Sequence, residues 1–580
     1  MALFSDDAIK ILEKRYLLRN GQGEVVETPE GMLHRVAKTV AQVEKEEGFW
    51  EERFYELLIA KRFLPNSPTL ANAGRLDGQL AACFVLPVPD SIEGIFETMK
   101  KAALIHKTGG GTGFSFSKIR PKDDPVSSAG GVASGPLSFI TAYNCATNAI
   151  KQGGMRRGAN MAVLDYRHPD IFEFVAAKQE EGFLANFNLS VGVSGELMYK
   201  AFHGGHIALI NPRTGNRLRE IEAVKLLDAM ILAAWKNGEP GILFFDKIND
   251  ANTLPGLGAL EATNPCGEQP LFDYECCNLG SLNLPKYLAE IGPVSNIIDW
   301  DLLEQDILTA VRFLDNVIDV NYYPFPEIEA MAKGNRKIGM GVMGFADLLV
   351  KLGVPYASDA AIEIADKVMG FVNSKSKEGS ARLAEEKGSF PNKHRSIYKG
   401  VPMRNATVTT IAPTGTLSML VDTSSGIEPL FGLSFVKEAL EGNRFVVTSP
   451  YFAEVADKRG FLTRDLIDEV TDKGSLREIK GVPDDVRRVF ATAFEIPAEW
   501  HIKVQAAFQR HVDNAVSKTV NFPKEAVVDD VRKAYFTAWK LGCKGLTIFR
   551  AGSRRNQVMG FAAKDKDQEG LDERCSVCTD

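Results

Sequence analysis

The chain has 580 residues, with 68 Lys and Arg against 75 Asp and Glu and a formal net charge of −7. That length exceeds what one ordinary core supports, so several domains or one large barrel with additions is expected. The mild acidity gives no general attraction for a nucleic-acid backbone or an anionic lipid surface, and no apolar run reaches the ~18 residues needed to span a bilayer. In chain order, the N-terminus MALFSDDAIKILEKRYLL lacks the basic start and apolar core of a secretion signal, which makes the cytoplasm the expected location. Residues 1–64 read as a helical domain: Met32, Leu33, Val36, Val40 and Val43 recur at helical spacing, and FWEERFYELLIAKRFL continues the pattern. From Pro65 to about Arg213, short apolar segments alternate with KTGGGTGFSFSKIR, SSAGGVASGP and KQGGMRRGAN, giving strands and loops with helices between. The first of these fits neither a GxGxxG opening a helix nor a GK[ST] phosphate loop, and it reads as a loop. Amphipathic helices are expected over Glu222 to Lys236, stopping at Gly238, and over Asp301 to Asp319, with Leu303, Ile307, Val311, Leu314 and Ile318 on one side. Alternation of this kind defines an α/β domain, placed over residues 65–555. Residues 556–580 are polar, highly charged and expected to form a flexible tail, ending in a CxxC made by Cys575 and Cys578.

In a reducing compartment, clustered cysteines call for a reason other than a disulfide framework. Three of the eight cysteines, Cys266, Cys276 and Cys277, fall within NPCGEQPLFDYECCNLGSLN. If NPCGE is extended, Asn264, Cys266 and Glu268 share a face, where a carboxylate can act as base, an amide as hydrogen-bond partner and a thiol as nucleophile or hydrogen-atom carrier. The alternative is a turn at Pro265 and Gly267 with an incidental cysteine. Cys276 and Cys277 face opposite sides of any strand, so at most one joins that site and the other packs in a core. Cys145 and Cys543 read as core thiols. The terminal CxxC supplies two of the four ligands a structural zinc needs, with no nearby histidine or cysteine to complete the set; thiol–disulfide exchange suits it better. APTGTLS offers a glycine and hydroxyls without a basic side chain, suited to cradling phosphate if a helix begins there, and otherwise a turn with an N-cap.

NPCGEQPL followed by CNLGSLNL, with ACFVLPVPDSIEGIF upstream and APTGTLSMLVDTSSGIEPLF downstream, resembles the catalytic subunit of ribonucleotide reductase in its adenosylcobalamin-dependent class II form. The resemblance runs from about Leu12 to the C-terminal cysteines. It implies a ten-stranded α/β barrel with a finger loop carrying the radical cysteine, preceded by a helical N-terminal domain. The implied activity is reduction of ribonucleotides to 2′-deoxyribonucleotides for DNA synthesis, with adenosylcobalamin as cofactor. Cys266 would become the thiyl radical that takes the ribose 3′-hydrogen, Glu268 would accept the 3′-hydroxyl proton, and Asn264 would hold the substrate hydroxyls. Cys83 and Cys277 would supply two electrons and end as a disulfide, reopened by Cys575 and Cys578, which a thioredoxin-like or glutaredoxin-like reductant recharges.

Further site residues follow from the same resemblance. Pro413, Thr414, Gly415, Thr416 and Leu417 would bind the substrate phosphates, with Ser67 and the backbone at Ala82, Cys83 and Gly111. Asp90 would bond the ribose of a deoxynucleotide effector and Arg120 its phosphates, while KQGGMRRGAN would relay effector identity; ordinary surface charge is the other reading of Arg120, Arg156 and Arg157. Effector sites in dimeric relatives lie at a subunit interface, so a homodimer is expected. Class I enzymes import their radical through a tyrosine pair near the end of the barrel, where this chain has GCKGLTIFRAGSRRNQVM with Phe549. Tyr322 and Tyr323 follow a mid-chain helix and read as packing. No glycyl-radical segment and no DxHxxG is recognisable, so no protein ligand to a metal is assigned. The alternatives are a class I-type catalytic subunit needing a separate radical-generating partner, and a nucleotide-binding regulator or thiol–disulfide oxidoreductase using only the CxxC. Whether the substrate is a diphosphate or a triphosphate stays open.

Overall fold

The computed structural model describes residues 3–126, 130–152, 156–180, 182–292, 295–439, 443–553 and 559–560. Cys575, Cys578 and the expected flexible tail lie outside the described residues, as do the side chains of Arg156 and Arg157. Three helices come first: α1 (Asp6–Arg15), α2 (Pro29–Ala41) and α3 (Glu47–Ile59). Thr28 caps α2 by accepting from Gly31 N, and Pro29 occupies the first turn, where its missing N–H costs nothing. Met32, Leu33, Val36 and Val40 are buried as their spacing predicts; Val43 is exposed, because α2 ends at Ala41 and the periodic face ends with it. These helices pack on the helix Trp300–Val320, with Phe54 against Phe313 at 5.2 Å between ring centroids.

Ten strands form one sheet. In chain order they are β1 (Phe63–Pro65), β2 (Cys83–Val85), β3 (Gly111–Ser115), β4 (Asn160–Asp165), β5 (Phe187–Val193), β6 (Gly241–Phe244), β7 (Cys276–Asn283), β8 (Ile338–Met343), β9 (Thr519–Phe522) and β10 (Gly545–Arg550). β2 through β6 run parallel. β7 and β8 are parallel, as are β9 and β10, and the two halves meet antiparallel at β6/β10 and β2/β7. Parallel bridges from Met340 to Thr409 and from Ile411 to Val516 close the ring. Alternation assigns the faces: Phe84, Ala162 and Leu164 point out to the helices, while Cys83, Val85, Met161 and Val163 point into the lumen. The helices Ala223–Asn237, ended by left-handed Gly238, and Trp300–Val320 lie where their periodicity places them. No described helix is long and apolar enough to cross a membrane.

Between β6 and β7 a hairpin, Ala262–Thr263 paired with Pro270–Leu271, enters the barrel. It explains the glycines that read as a loop and are in fact β3. A Cβ on Gly113 would lie 1.7 Å from the Thr263 carbonyl oxygen, and one on Gly111 would lie 3.0 Å from Pro265 Cγ. The strand is glycine-rich because the hairpin lies against it, a demand of packing that overrides strand propensity. Cys145 is exposed rather than a core thiol, because the helix Pro136–Ala149 buries Pro136, Ile140, Tyr143 and Thr147 and turns Cys145 off that face. Cys543 is buried.

Gly113→Ala must push the hairpin off β3, so it should destabilise the protein by on the order of 3 kcal/mol in urea unfolding. Gly131→Ala, at a site with nothing within 4 Å of the added carbon, should stay within about 0.5 kcal/mol of wild type. Equal effects of the two would mean that the hairpin does not depend on that glycine.

Candidate active site

The tip of the hairpin is Asn264-Pro265-Cys266-Gly267, a β-turn in which Gly267 N–H donates to the Asn264 carbonyl at 3.1 Å. NPCGE is therefore a turn and not extended; Pro265 at the second position and Gly267, at φ +81°, fit it. The turn still gathers the side chains. Asn264 Nδ2 donates to Cys83 Sγ at 3.1 Å, and Cys83 Sγ lies 4.0 Å from Glu268 Oε1. Asn264 Oδ1 accepts from Gln269 N at 2.9 Å, which fixes the amide. Asn188, on β5, donates to the Pro265 carbonyl at 2.8 Å, and the Glu268 carbonyl accepts from Ala515 N at 2.9 Å and Thr410 Oγ1 at 3.0 Å. Sequence reasoning singled out neither Asn188 nor Thr410, because an Asn or Thr on an inner face carries no spacing signal.

Cys83 and Cys277 sit directly opposite each other across the β2/β7 seam, and Cys276 faces the outer core. All three are free thiols. Burial foremost, then the Glu268 carboxylate, holds the Cys83 thiol well above its ordinary pKa. Burial likewise raises Cys277, while the Lys337 ammonium pulls the other way. Glu268 is fully buried, and desolvation pushes it up to about 7 against the hydrogen bond from Asn264. Its Oε2 has no hydrogen-bond partner among the described residues, so an acceptor sits ready for a hydroxyl.

Cys266 is exposed, and it opens on a cavity of about 990 Å³ together with Pro265 and Gly267. The cavity is also lined by β10, including Phe549, and by Leu430, Phe431 and Thr519. Pro413 and Ser418 also line it. Thr414 adopts φ +52°, and its Oγ1 accepts from Gly426 N at 2.7 Å; Leu417 begins a short helix that ends at Leu420. Ala82 and Gly111 flank the Cys83–Cys277 pair, with Ala82 N donating to the Cys277 carbonyl at 3.4 Å and Gly111 N to the Ala82 carbonyl at 2.9 Å. Asp90 and Arg120 form a separate cluster and bond each other at 2.9 Å, beside the Arg213–Asp124 pair at 2.7 Å. Tyr323 packs, its hydroxyl donating to the Ile318 carbonyl at 2.8 Å, whereas Tyr322 is exposed.

A closed barrel of two antiparallel halves, threaded by a hairpin that brings a thiol, a carboxylate and a cysteine pair together, defines the class. The family models agree: ribonucleotide reductase, barrel domain, matches residues 81–402 and 392–549, and ribonucleotide reductase, all-alpha domain, matches residues 2–78. The chain belongs to the ribonucleotide reductase family. It is 44% identical to the vitamin B12-dependent ribonucleoside-diphosphate reductase of Thermoplasma acidophilum, over 97% of this chain and 81% of that protein. It is 48% identical to the protein of the same name from Mycobacterium tuberculosis, over 96% of this chain and 79% of that one. The class Id ribonucleotide reductase alpha subunit of Actinobacillus ureae shares the fold at a TM-score of 0.79 and 20% identity, over 95% of this chain and 98% of that one.

The raised Glu268 pKa has a measurable consequence for stability. The carboxyl binds a proton more tightly folded, near 7, than unfolded, at its ordinary 4.5. Its stabilisation is thus complete below pH 4.5 and lost as the pH rises through about 7. Glu268→Gln should remove that decline, so urea-unfolding free energies of variant and wild type should diverge between those two values; parallel curves would show that the carboxyl is not desolvated.

Proposed function

We propose that this chain is an adenosylcobalamin-dependent reductase of ribonucleoside diphosphates. The observation that carries the reading is the division of three thiols, with Cys266 exposed to a large cavity and Cys83 and Cys277 buried behind it beside Glu268. The two B12-dependent ribonucleoside-diphosphate reductases it resembles suggest the cofactor and the phosphate level. The lining of the cavity suits one end of such a cofactor: Leu430, Phe431 and Phe549 give it apolar walls, and Ser424, Ser425 and Thr519 add hydroxyls. When bound, adenosylcobalamin supplies an organic radical by homolysis of its Co–C bond.

The chain's own groups then do the rest. Cys266, as thiyl, takes the hydrogen from ribose C3′, and Glu268 accepts the 3′-hydroxyl proton; a carboxyl near pKa 7 is well placed for that task. Asn264 orients the hydroxyls from the same turn. The 2′-hydroxyl leaves as water with a proton from the cysteine pair, whose two thiols together give up two electrons and two hydrogens and form one disulfide. Cys266 returns its hydrogen to C3′, and Glu268 returns its proton to the 3′-oxygen. One C–OH becomes C–H, and the radical is recovered.

Pro413 to Leu417 and Ser67 serve the phosphates, and Cys575 and Cys578 reopen the disulfide before a thioredoxin-like or glutaredoxin-like protein recharges them. The Asp90–Arg120 cluster takes a deoxynucleotide effector, which selects the base to be reduced. It lies at the start of the helix Ile92–Lys107, whose exposed Ile92 and Phe96, one turn apart, offer apolar contact to a second copy. Phe549 in the cavity wall, where a radical-relay tyrosine would be needed, argues against a class I subunit.

Purified chain with adenosylcobalamin, dithiothreitol and a ribonucleoside diphosphate, free of oxygen, should form the deoxynucleotide, and Cys266→Ser should form none. Without dithiothreitol, pre-reduced wild type carries two dithiol pairs and should make about two products per chain, and the Cys575→Ser, Cys578→Ser double variant about one. Activity that needs a metal-containing partner instead of cobalamin would overturn the cofactor assignment.

A further inference from the structure

The proposed substrate carries a diphosphate, yet the 413–417 cradle has no basic side chain of its own. The helical domain brings one to it. Arg15, the last residue of α1, donates from Nη1 to Thr416 Oγ1 at 3.2 Å. The next residue, Tyr16, places its hydroxyl 2.9 Å from Ser67 Oγ. Two consecutive residues therefore meet two cradle hydroxyls from distant segments, one before the short helix Leu417–Leu420 and one in the first turn of the helix Ser67–Asn72.

The local field makes that cation matter. α1 points its C-terminal end at the cradle, and a helix C-terminus carries partial negative charge that repels phosphate. Lys14 and Arg15, in its last turn, oppose that charge. A guanidinium also presents planar, paired N–H donors that match two phosphate oxygens, a geometry an ammonium lacks. With the ribose held inside the barrel at Glu268 and Cys266, α1 stands outside it, so the phosphate that reaches Arg15 is the outermost one. Resting on the reductase reading above, we infer that Arg15 binds the terminal phosphate of the ribonucleoside diphosphate, so that phosphate-chain length is read by the N-terminal helices as well as by the barrel.

Calorimetric titration of the full chain with a ribonucleoside diphosphate, and with the corresponding monophosphate, tests the assignment. Arg15→Gln should weaken diphosphate binding about 10- to 100-fold, the usual worth of a charge-assisted hydrogen bond, and leave the monophosphate within about threefold. Arg15→Lys keeps the charge and loses the fork, so it should recover part of the loss; were Arg15→Gln to misfold, the diphosphate-to-monophosphate ratio of Arg15→Lys would still fall. In turnover the loss should appear in KM, with kcat little changed. Equal weakening of both ligands, or unchanged diphosphate binding, overturns the inference. The titration needs neither cofactor nor turnover, so a chain that binds diphosphate through Arg15 yet forms no deoxynucleotide would overturn the reductase reading and leave this contact standing.

Discussion

A β-hairpin confined inside a closed sheet is the constraint on which the rest depends. Gly113 leaves no space for a side chain beside Thr263, so the hairpin and β3 approach as closely as backbones can. The same need for room recurs across the lumen, where Cβ atoms on Gly339 and Gly341 would lie within 2.7 Å of Thr410 atoms. Closing the barrel around the hairpin also fixes the seam between its halves. Because β2 and β7 are antiparallel there, Cys83 and Cys277 lie directly opposite, at a separation of about 4.5–5.5 Å between Cα atoms for such pairs. Disulfides span about 4.4–6.8 Å between Cα atoms, so the pair can oxidise without backbone movement. A parallel junction would stagger the two thiols.

Burial then sorts the charges. Two fully buried carboxylates are compensated by cations: Glu275 accepts from Lys337 at 2.7 Å, and Asp315 is flanked by Arg336 at 2.9 Å and Arg404 at 3.1 Å. Glu268 has no cationic partner among the described residues, and desolvation dominates its behaviour. An unpaired buried carboxyl is costly unless protonated, and structure alone gives no reason to keep one on the lip of a turn. The two seam cysteines are held as thiols by the same low-polarity surroundings. Cys266 alone of the hairpin's reactive groups faces the cavity, so its thiol and the buried Cys83–Cys277 pair stand on different sides of one turn.

How far the sequence speaks depends on whether a feature is local. The Trp300–Val320 helix follows from its period, and the stop at Gly238 follows from the left-handed φ that glycine tolerates. The opposite facing of Cys276 and Cys277 follows from the two-residue repeat of a strand. β3 was illegible because its glycines answer to a hairpin some 150 residues away, and local propensity cannot register that. Cys145 was misplaced for a similar reason: cysteine's general preference for cores says nothing about which face of the Pro136–Ala149 helix it occupies. The turn at Pro265 was open on spacing alone, and extended or turned backbone would each have brought Asn264, Cys266 and Glu268 near one another.

The helical domain and the barrel share one core, in which Ile11, Val36 and Leu57 pack in the same cluster as Leu314, Val342 and Leu417. A site built across that boundary is therefore set by buried packing and not by a hinge. Ser5 Oγ donates to Asp422 at 2.8 Å, and the Lys61 ammonium stands 4.5 Å from the centre of the Phe4 ring, tying the first residues to the cavity mouth. Phosphate recognition needs donors placed within about half an ångström, which loops joined by flexible linkers rarely achieve. Segments as far apart as Arg15, Ser67 and Thr416 can meet that tolerance because one continuous core positions all three.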